Sequence, residues 1–196
     1  MGKSHFIRVA AITIAIGAPG STTVIVRKEL RALKANHMQG NSSIPALIAP
    51  LIRAKLAKVD NMNNIIRFRN GGPNRNQWEA GSTIALVHLQ RGDQSLESVQ
   101  GMEITGALLI DESTHLTAHQ ISYLKSRVRL GGWRPEPGST FDGNLPRIVL
   151  ATNPGSTSMT WHKTTFTHLE PYIPHQGENK DAFAKMYIPC ICLDNP

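Results

Sequence analysis

The apolar run Ala107-Leu-Leu-Ile110 ends in two adjacent carboxylates, Asp111 and Glu112, and continues as Ser113-Thr-His115. This feature limits the fold more than any other in the chain. A continuous apolar run of this length, preceded by Gly106, reads as a strand buried in a sheet. Acids at the C-terminal tip of such a strand can hold Mg²⁺ and aim a water at a γ-phosphate. The same letters also suit a core strand that ends in a solvated turn, so the chemistry depends on the neighbouring segments.

The N-terminus supplies one of them. Gly2-Lys3-Ser4 leads directly into a segment with apolar spacing at Phe6, Val9, Ala10, Thr13 and Ile16. That spacing predicts a helix, with Gly17 and Pro19 as its stop. Gly-Lys-Ser at a helix start is the second half of a Walker A loop. There the lysine reaches the β- and γ-phosphates, the hydroxyl ligates Mg²⁺ and the free amides face the phosphates. A chance tripeptide before an ordinary helix fits the same letters. Another segment, Arg147-Ile-Val-Leu-Ala-Thr-Asn-Pro-Gly155, is an apolar strand tipped by Thr152 and Asn153. A polar tip beside the acid strand can sense a γ-phosphate, although an Asn-Pro-Gly turn needs no ligand. Thr22-Thr-Val-Ile-Val-Arg27 is a further run of the kind buried on both faces of a parallel sheet.

In order, these segments resemble the ATPase part of the large terminase subunit, the motor that packages DNA into tailed-phage heads. The resemblance rests on Gly2-Lys3-Ser4-His-Phe, Val26-Arg-Lys-Glu-Leu-Arg-Ala-Leu-Lys-Ala-Asn-His37, Leu108-Leu-Ile-Asp-Glu-Ser-Thr-His115, Ser126-Arg-Val-Arg-Leu-Gly-Gly132 and Ala151-Thr-Asn-Pro-Gly155. It implies an α/β fold of P-loop NTPase type, a mostly parallel β-sheet flanked by helices. It implies ATP and Mg²⁺ as cofactors. Gly2, Lys3 and Ser4 match the Walker A segment, with Ser4 and Asp111 as the metal-holding pair. Glu112 matches the residue that orients the attacking water. Thr152 and Asn153 fall where terminases couple hydrolysis to DNA movement.

The family also implies double-stranded DNA, sister subunits in a ring, a small terminase subunit and a portal protein as partners, in the cytoplasm of an infected bacterial host. The chain departs from the family in lacking the glycine-rich first half of the loop and a C-terminal nuclease domain. The expected division is therefore a P-loop ATPase domain over 1–186 and the start of a linker toward an absent nuclease domain over 187–196. A catalytically inactive terminase fragment, acting at most as a DNA- or subunit-binding module, is the alternative reading. A helicase of the same broad class is a weaker one, because no helicase-type arginine motif or second domain follows Asn153.

Composition fits this picture. The chain has 196 residues, enough for one domain with a real core, and 40% of them are hydrophobic. No apolar run is long enough to cross a bilayer, and the N-terminal segment lacks the small-residue cleavage site of a signal peptide. A formal charge of +7 suggests a polyanionic partner. The basic residues cluster at Arg27, Lys28, Arg31 and Lys34; at Arg53, Lys55 and Lys58; at Arg67 and Arg69; and at Lys125, Arg127 and Arg129. Nucleotide phosphates, a DNA backbone or a neighbouring subunit's ATP could each use them, and a solvated basic face needs none. No base-reading motif is present, so any DNA contact is expected at phosphates. Arg91, Arg127 and Arg129 are candidates to reach an adjacent subunit's nucleotide. Cys190 and Cys192 are too close for an ordinary disulfide and have no second ligand pair for zinc.

The remaining pattern predicts a helix over Ser43–Leu56, capped by Ser43 and kinked at Pro50. It predicts strands over 64–69 and 83–88 as neighbours, and a short helix or turn over 94–101. A helix is expected over Thr117–Leu130, capped by Thr117, with Ile121, Leu124 and Val128 facing the core. The Gly- and Pro-rich stretch 131–144 reads as an exposed excursion. Trp161, His162 and His168 read as packing or surface residues.

Overall fold

The computed structural model describes residues 2–71, 77–152 and 158–162. Helix α1 spans Lys3–Gly17, strand β1 Thr22–Arg27, and helix α2 Leu30–His37. Two short helices follow, α3 at Ile44–Leu47 and α4 at Ala49–Arg53. Next come strands β2 at Ala57–Asp60, β3 at Ile65–Phe68 and β4 at Thr83–His88. A 3₁₀ segment covers Gly92–Val99. Strand β5 is Ala107–Ile110, α5 is Ala118–Ser126, β6 is Arg147–Leu150, and α6 is Met159–His162.

The strands form one six-stranded sheet in the order β2-β3-β4-β1-β5-β6. The pairs β4–β1, β1–β5 and β5–β6 are parallel, while β2–β3 and β3–β4 are antiparallel. The sheet is thus mixed but mostly parallel in its centre, with helices on both faces, as the apolar runs predict. The alternation of a strand sorts β1 between two cores. Ile25 joins Ile84, Leu86 and Leu109 under Ile7, Ala11 and Ile14 of α1, Leu33 of α2 and Ile44. Val24 and Val26 join Ala85, Val87, Leu108 and Ile110 against Leu96, Val99, Ile121 and Leu124 on the other side. Each fully buried Leu or Ile here contributes roughly 2 kcal/mol relative to exposure.

Several expectations change. Helix α1 buries Ile7, Arg8, Ala11, Ile14 and Ala15, whereas Phe6, Val9 and Ile16 are exposed. The expected apolar face is therefore the outward one. The helix is apolar nearly all round, so periodicity alone does not choose a side, and the alanine-lined side meets the sheet. The segment from Ser43 is two short helices. Ser43 does cap it, accepting from Ala46 N at 3.3 Å. The chain then breaks at Ile48, and Pro50, which has no N–H to give, sits in the first turn of α4. Helix α5 ends at Ser126, earlier than Leu130, and Val128 instead bridges to Ile104. Its predicted cap is present as a full capping box, Thr117 with Gln120. Strand β2 has no counterpart among the expected elements. The excursion 131–144 is largely exposed, as expected, and is tied down at two points: Trp133 Nε1 donates to Pro19 O at 3.0 Å, and Phe141 packs against Gly17.

Asn153, His168, Cys190, Cys192 and the segment 187–196 lie outside the described residues. Among the described residues, no helix is long and apolar enough to cross a membrane.

Candidate active site

Parallel pairing sets the site. Val26 lies opposite Ile110, so the residues that follow, Arg27 and Asp111, emerge side by side at the C-terminal edge of the sheet. Asp111 N donates to Val26 O at 2.9 Å and fixes that register. In open α/β sheets this edge is where ligands bind. The start of α1 stands over the same point, with Gly2 as its N-cap and Lys3 and Ser4 in its first turn. The end of α2 brings in His37.

Asp111 is buried and surrounded by donors. Ser4 Oγ lies 3.3 Å from Oδ1 and 3.1 Å from Oδ2. Arg27 Nη1 donates to Oδ2 at 2.7 Å, and His37 Nε2 lies 3.2 Å from the same oxygen. The other arm of Arg27, Nη2, pairs with Glu112 Oε1, so one guanidinium bridges both acids. Burial by itself pushes the Asp111 carboxyl up. The hydrogen bond and charge of His37, the charge of Arg27 and the Ser4 hydroxyl outweigh it, and the net shift is below the ordinary carboxylate range. Arg8, one turn after Ser4, is also buried and donates to Asn36 O. Burial pushes its guanidinium below the usual arginine value while the Asp111 charge pulls it back up.

Glu112 adopts a left-handed backbone, φ 54° and ψ 49°. For a residue with a Cβ this conformation is costly and persists only where surrounding contacts enforce it. Those contacts are visible. Ser113 N donates to Ala151 O at 2.9 Å, joining the acid loop to the end of β6. Ser113 Oγ lies 2.8 Å from His162 Nε2, and Ser158 Oγ donates to Thr114 O at 2.9 Å. His115 Nδ1 stands 3.5 Å from Glu112 Oε2.

The structure thus brings Ser4, Asp111 and Glu112 to one point. Lys3 stands beside Ser4 in the first turn of α1, but its side chain makes no hydrogen bond or ion pair with a described residue. Thr152 follows the β6 end that the acid loop contacts. Arg27, expected among the cations open to phosphates, is instead buried and engaged by both acids. His37 and Arg8 carry no site signal in the sequence, and His162, expected to pack, also hydrogen-bonds the acid loop. A charged residue ending a buried strand is the available clue for Arg27. The histidines give none, since their placement depends on how α2 and α6 fold back.

The donor set fits Mg²⁺. Ser4 and Asp111 offer hard oxygens, and the Ser4 hydroxyl reaches Asp111 Oδ1. Among the described residues, no group of three or more His, Cys, Asp and Glu side chains could hold a metal by itself.

No protein-family model matches the chain, and no curated protein matches it. Among solved structures, it is similar to the large terminase from a thermophilic bacteriophage, with 13% sequence identity and a TM-score of 0.53. The likeness covers 82% of this chain and 33% of that one, so the chain spans about a third of that protein's length. At this identity the shared property is the fold: an α/β domain like one found in a phage large terminase.

Proposed function

We propose that the chain is the ATPase core of a viral DNA-packaging terminase large subunit, coupling ATP hydrolysis to translocation of double-stranded DNA into a procapsid. The observation that carries this reading is the meeting of Ser4, at the head of α1, with Asp111, at the tip of β5. A hydroxyl from a Gly-Lys-Ser helix start and an acid from a buried central strand are the protein's share of a Mg²⁺–nucleotide site. The likeness in fold to a phage large terminase supports the same reading.

In this reading Ser4 and Asp111 hold Mg²⁺, and Lys3 neutralises phosphate charge. The metal bound with ATP supplies charge neutralisation at the phosphate oxygens. Glu112 orients the attacking water. It is paired with Arg27 here, so that role requires its carboxylate to leave the guanidinium. Thr152 and Asn153 are assigned the coupling role. Double-stranded DNA, sister subunits, a small terminase subunit and a portal protein are the partners this function needs, in the cytoplasm of an infected bacterial cell.

One observation favours the alternative, an inactive module that binds DNA or sister subunits: Asp111 Oδ2 already receives both Arg27 and His37. Titration with a fluorescent ATP analogue separates the two. The ATPase reading expects Mg²⁺-dependent binding that is lost in Lys3→Ala. No binding by the wild-type chain overturns it and leaves the inactive module.

A further inference from the structure

Strands β2 and β3 extend as a two-stranded wing beyond β4. Ala57, Val59, Ile66 and Phe68 face the α1 side and pack into that core. The period of two then places Lys58, Arg67 and Arg69 on the other face. Lys58 lies directly opposite Arg67 in the ladder, and Arg69 N donates to Leu56 O one position further along at 2.8 Å. Trp78 lies under the Lys58 ammonium, 4.6 Å from ring centroid to Nζ, and Arg69 Nε donates to Gln77 at 2.7 Å.

None of the three cations forms an ion pair with a carboxylate among the described residues. Asp60 shares their face and feels the charge of Arg67, the smallest of the influences acting on its carboxyl, while its oxygens accept from Met62 N, Asn63 N and Asn63 Nδ2 within the hairpin turn. Like charges directly opposed across a ladder are destabilising, so the arrangement calls for a counter-anion. Edge protection is the competing explanation, because a lysine on an outer strand deters pairing with another chain. It accounts for Lys58 on β2. It does not account for Arg67 and Arg69, because β3 lies between β2 and β4 and has no free edge.

We infer that this face of the wing is a nucleic-acid contact surface that takes the phosphate backbone of DNA. The choice of DNA among polyanions rests on the motor reading above; the excess of positive charge, three cations against Asp60, does not. Arg67 and Arg69 stand about 7 Å apart along the strand, with Lys58 across from the first, a row suited to successive anionic groups on a backbone. Among the described residues this face carries no base-reading motif, so the contact is expected to be independent of sequence.

The test is fluorescence anisotropy with duplex DNA of arbitrary sequence at several salt concentrations, using the full chain. Lys58→Glu/Arg67→Glu is expected to weaken binding by about tenfold or more and to reduce the salt slope by roughly 2, as for two lost phosphate contacts. Arg134→Glu/Arg147→Glu, exposed residues outside the basic clusters and with the same change in net charge, should cost less. Lys58→Ala/Arg67→Ala removes the opposed charges, so it should melt no lower than wild type and still lose DNA. Equal losses in the wing and control variants, or unchanged binding in the wing variants, overturn the inference. So does binding to anionic vesicles, lost in the same variants, with duplex binding unaffected. ATP-analogue binding in each variant keeps the two readings apart: a wing that binds DNA in a chain that ignores nucleotide sinks the ATPase function alone.

Discussion

Ser4 and Asp111 are 107 residues apart in the chain, yet the serine hydroxyl donates to Asp111 Oδ2 at 3.1 Å. The meeting needs β1 to lie beside β5 and α1 to begin above their shared edge. Ser4→Ala removes one hydrogen bond to a charged acceptor and should cost about 1 kcal/mol of stability. Asp111 keeps Arg27 and His37, so the fold survives. The functional effect should be larger and specific: the ratio of ATP-analogue affinity with and without Mg²⁺ is expected to fall about tenfold, or about 1.4 kcal/mol. An unchanged ratio would remove Ser4 from the metal site.

Asp111 gives the chain a defined acid lability. Its pKa is depressed in the folded state, so between the folded and unfolded values the unfolded chain binds the proton more readily. The stability Asp111 contributes is complete above the unfolded value, about 3.9, and is lost as pH falls through the lower folded one. Asp111→Asn leaves Arg27 buried without its full counter-charge and should cost about 3 kcal/mol at neutral pH. That difference should begin to shrink below about 4, where the unfolded chain takes up the proton, and keep shrinking until the pH has fallen through the lower folded value. Urea unfolding of both proteins across this range checks it. A difference that is constant with pH would show that shape, rather than charge, makes Asp111 matter.

The parts of the fold that are legible in the sequence are those with a local cause. The strands β1, β4 and β5 are short apolar runs because they lie inside the sheet, β6 is an apolar run at its edge, and the acid tip is visible because it follows its strand directly. Strand β2, Ala57-Lys-Val-Asp60, is an edge strand whose alternating pattern is too short to stand out. Helix α1 is legible as a helix but not by face, since Phe6, Val9 and Ile16 are as apolar as the buried Ile7 and Ile14. In the site, motif and position point to Asp111, Glu112 and Ser4. They do not point to the bridge from Arg27 to both acids, because it follows from the order β4-β1-β5, which no single segment encodes.

Glu112 separates strain from chemistry. Glu112→Ala and Glu112→Gly both delete the carboxylate and its pairing with Arg27, so they differ mainly in the backbone at φ 54°. Glycine ordinarily destabilises relative to alanine. Here it should be the more stable of the two by about 1 kcal/mol, because the left-handed conformation costs it nothing. Glu112→Gln keeps the side chain's shape but cannot orient water as a base. It should lower ATP turnover by about a hundredfold or more while sparing nucleotide binding. Retained turnover in that variant rules out the assigned role.

His162 should govern how firmly Glu112 is held. Both of its ring nitrogens are engaged: Nδ1 lies 2.9 Å from Ser158 O, and Nε2 lies 2.8 Å from Ser113 Oγ. With Nδ1–H donated to the carbonyl, Nε2 accepts from the serine hydroxyl, and a neutral ring satisfies the contact. His162→Ala takes the partner from a buried hydroxyl one residue after the strained glutamate, a loss of roughly 1–3 kcal/mol. If that clasp enforces the left-handed backbone, amide hydrogen exchange over 112–116 should speed up more than exchange in β1 or α1. His162→Gln, which can still accept from Ser113, should restore much of the protection. The competing support is the bond from Ser113 N to Ala151 O, which His162→Ala leaves intact. Unchanged exchange over 112–116 would mean that the pairing of the acid loop with the end of β6 is sufficient by itself. A uniform rise across the whole domain would mean that His162 contributes to global stability and does not position the acid.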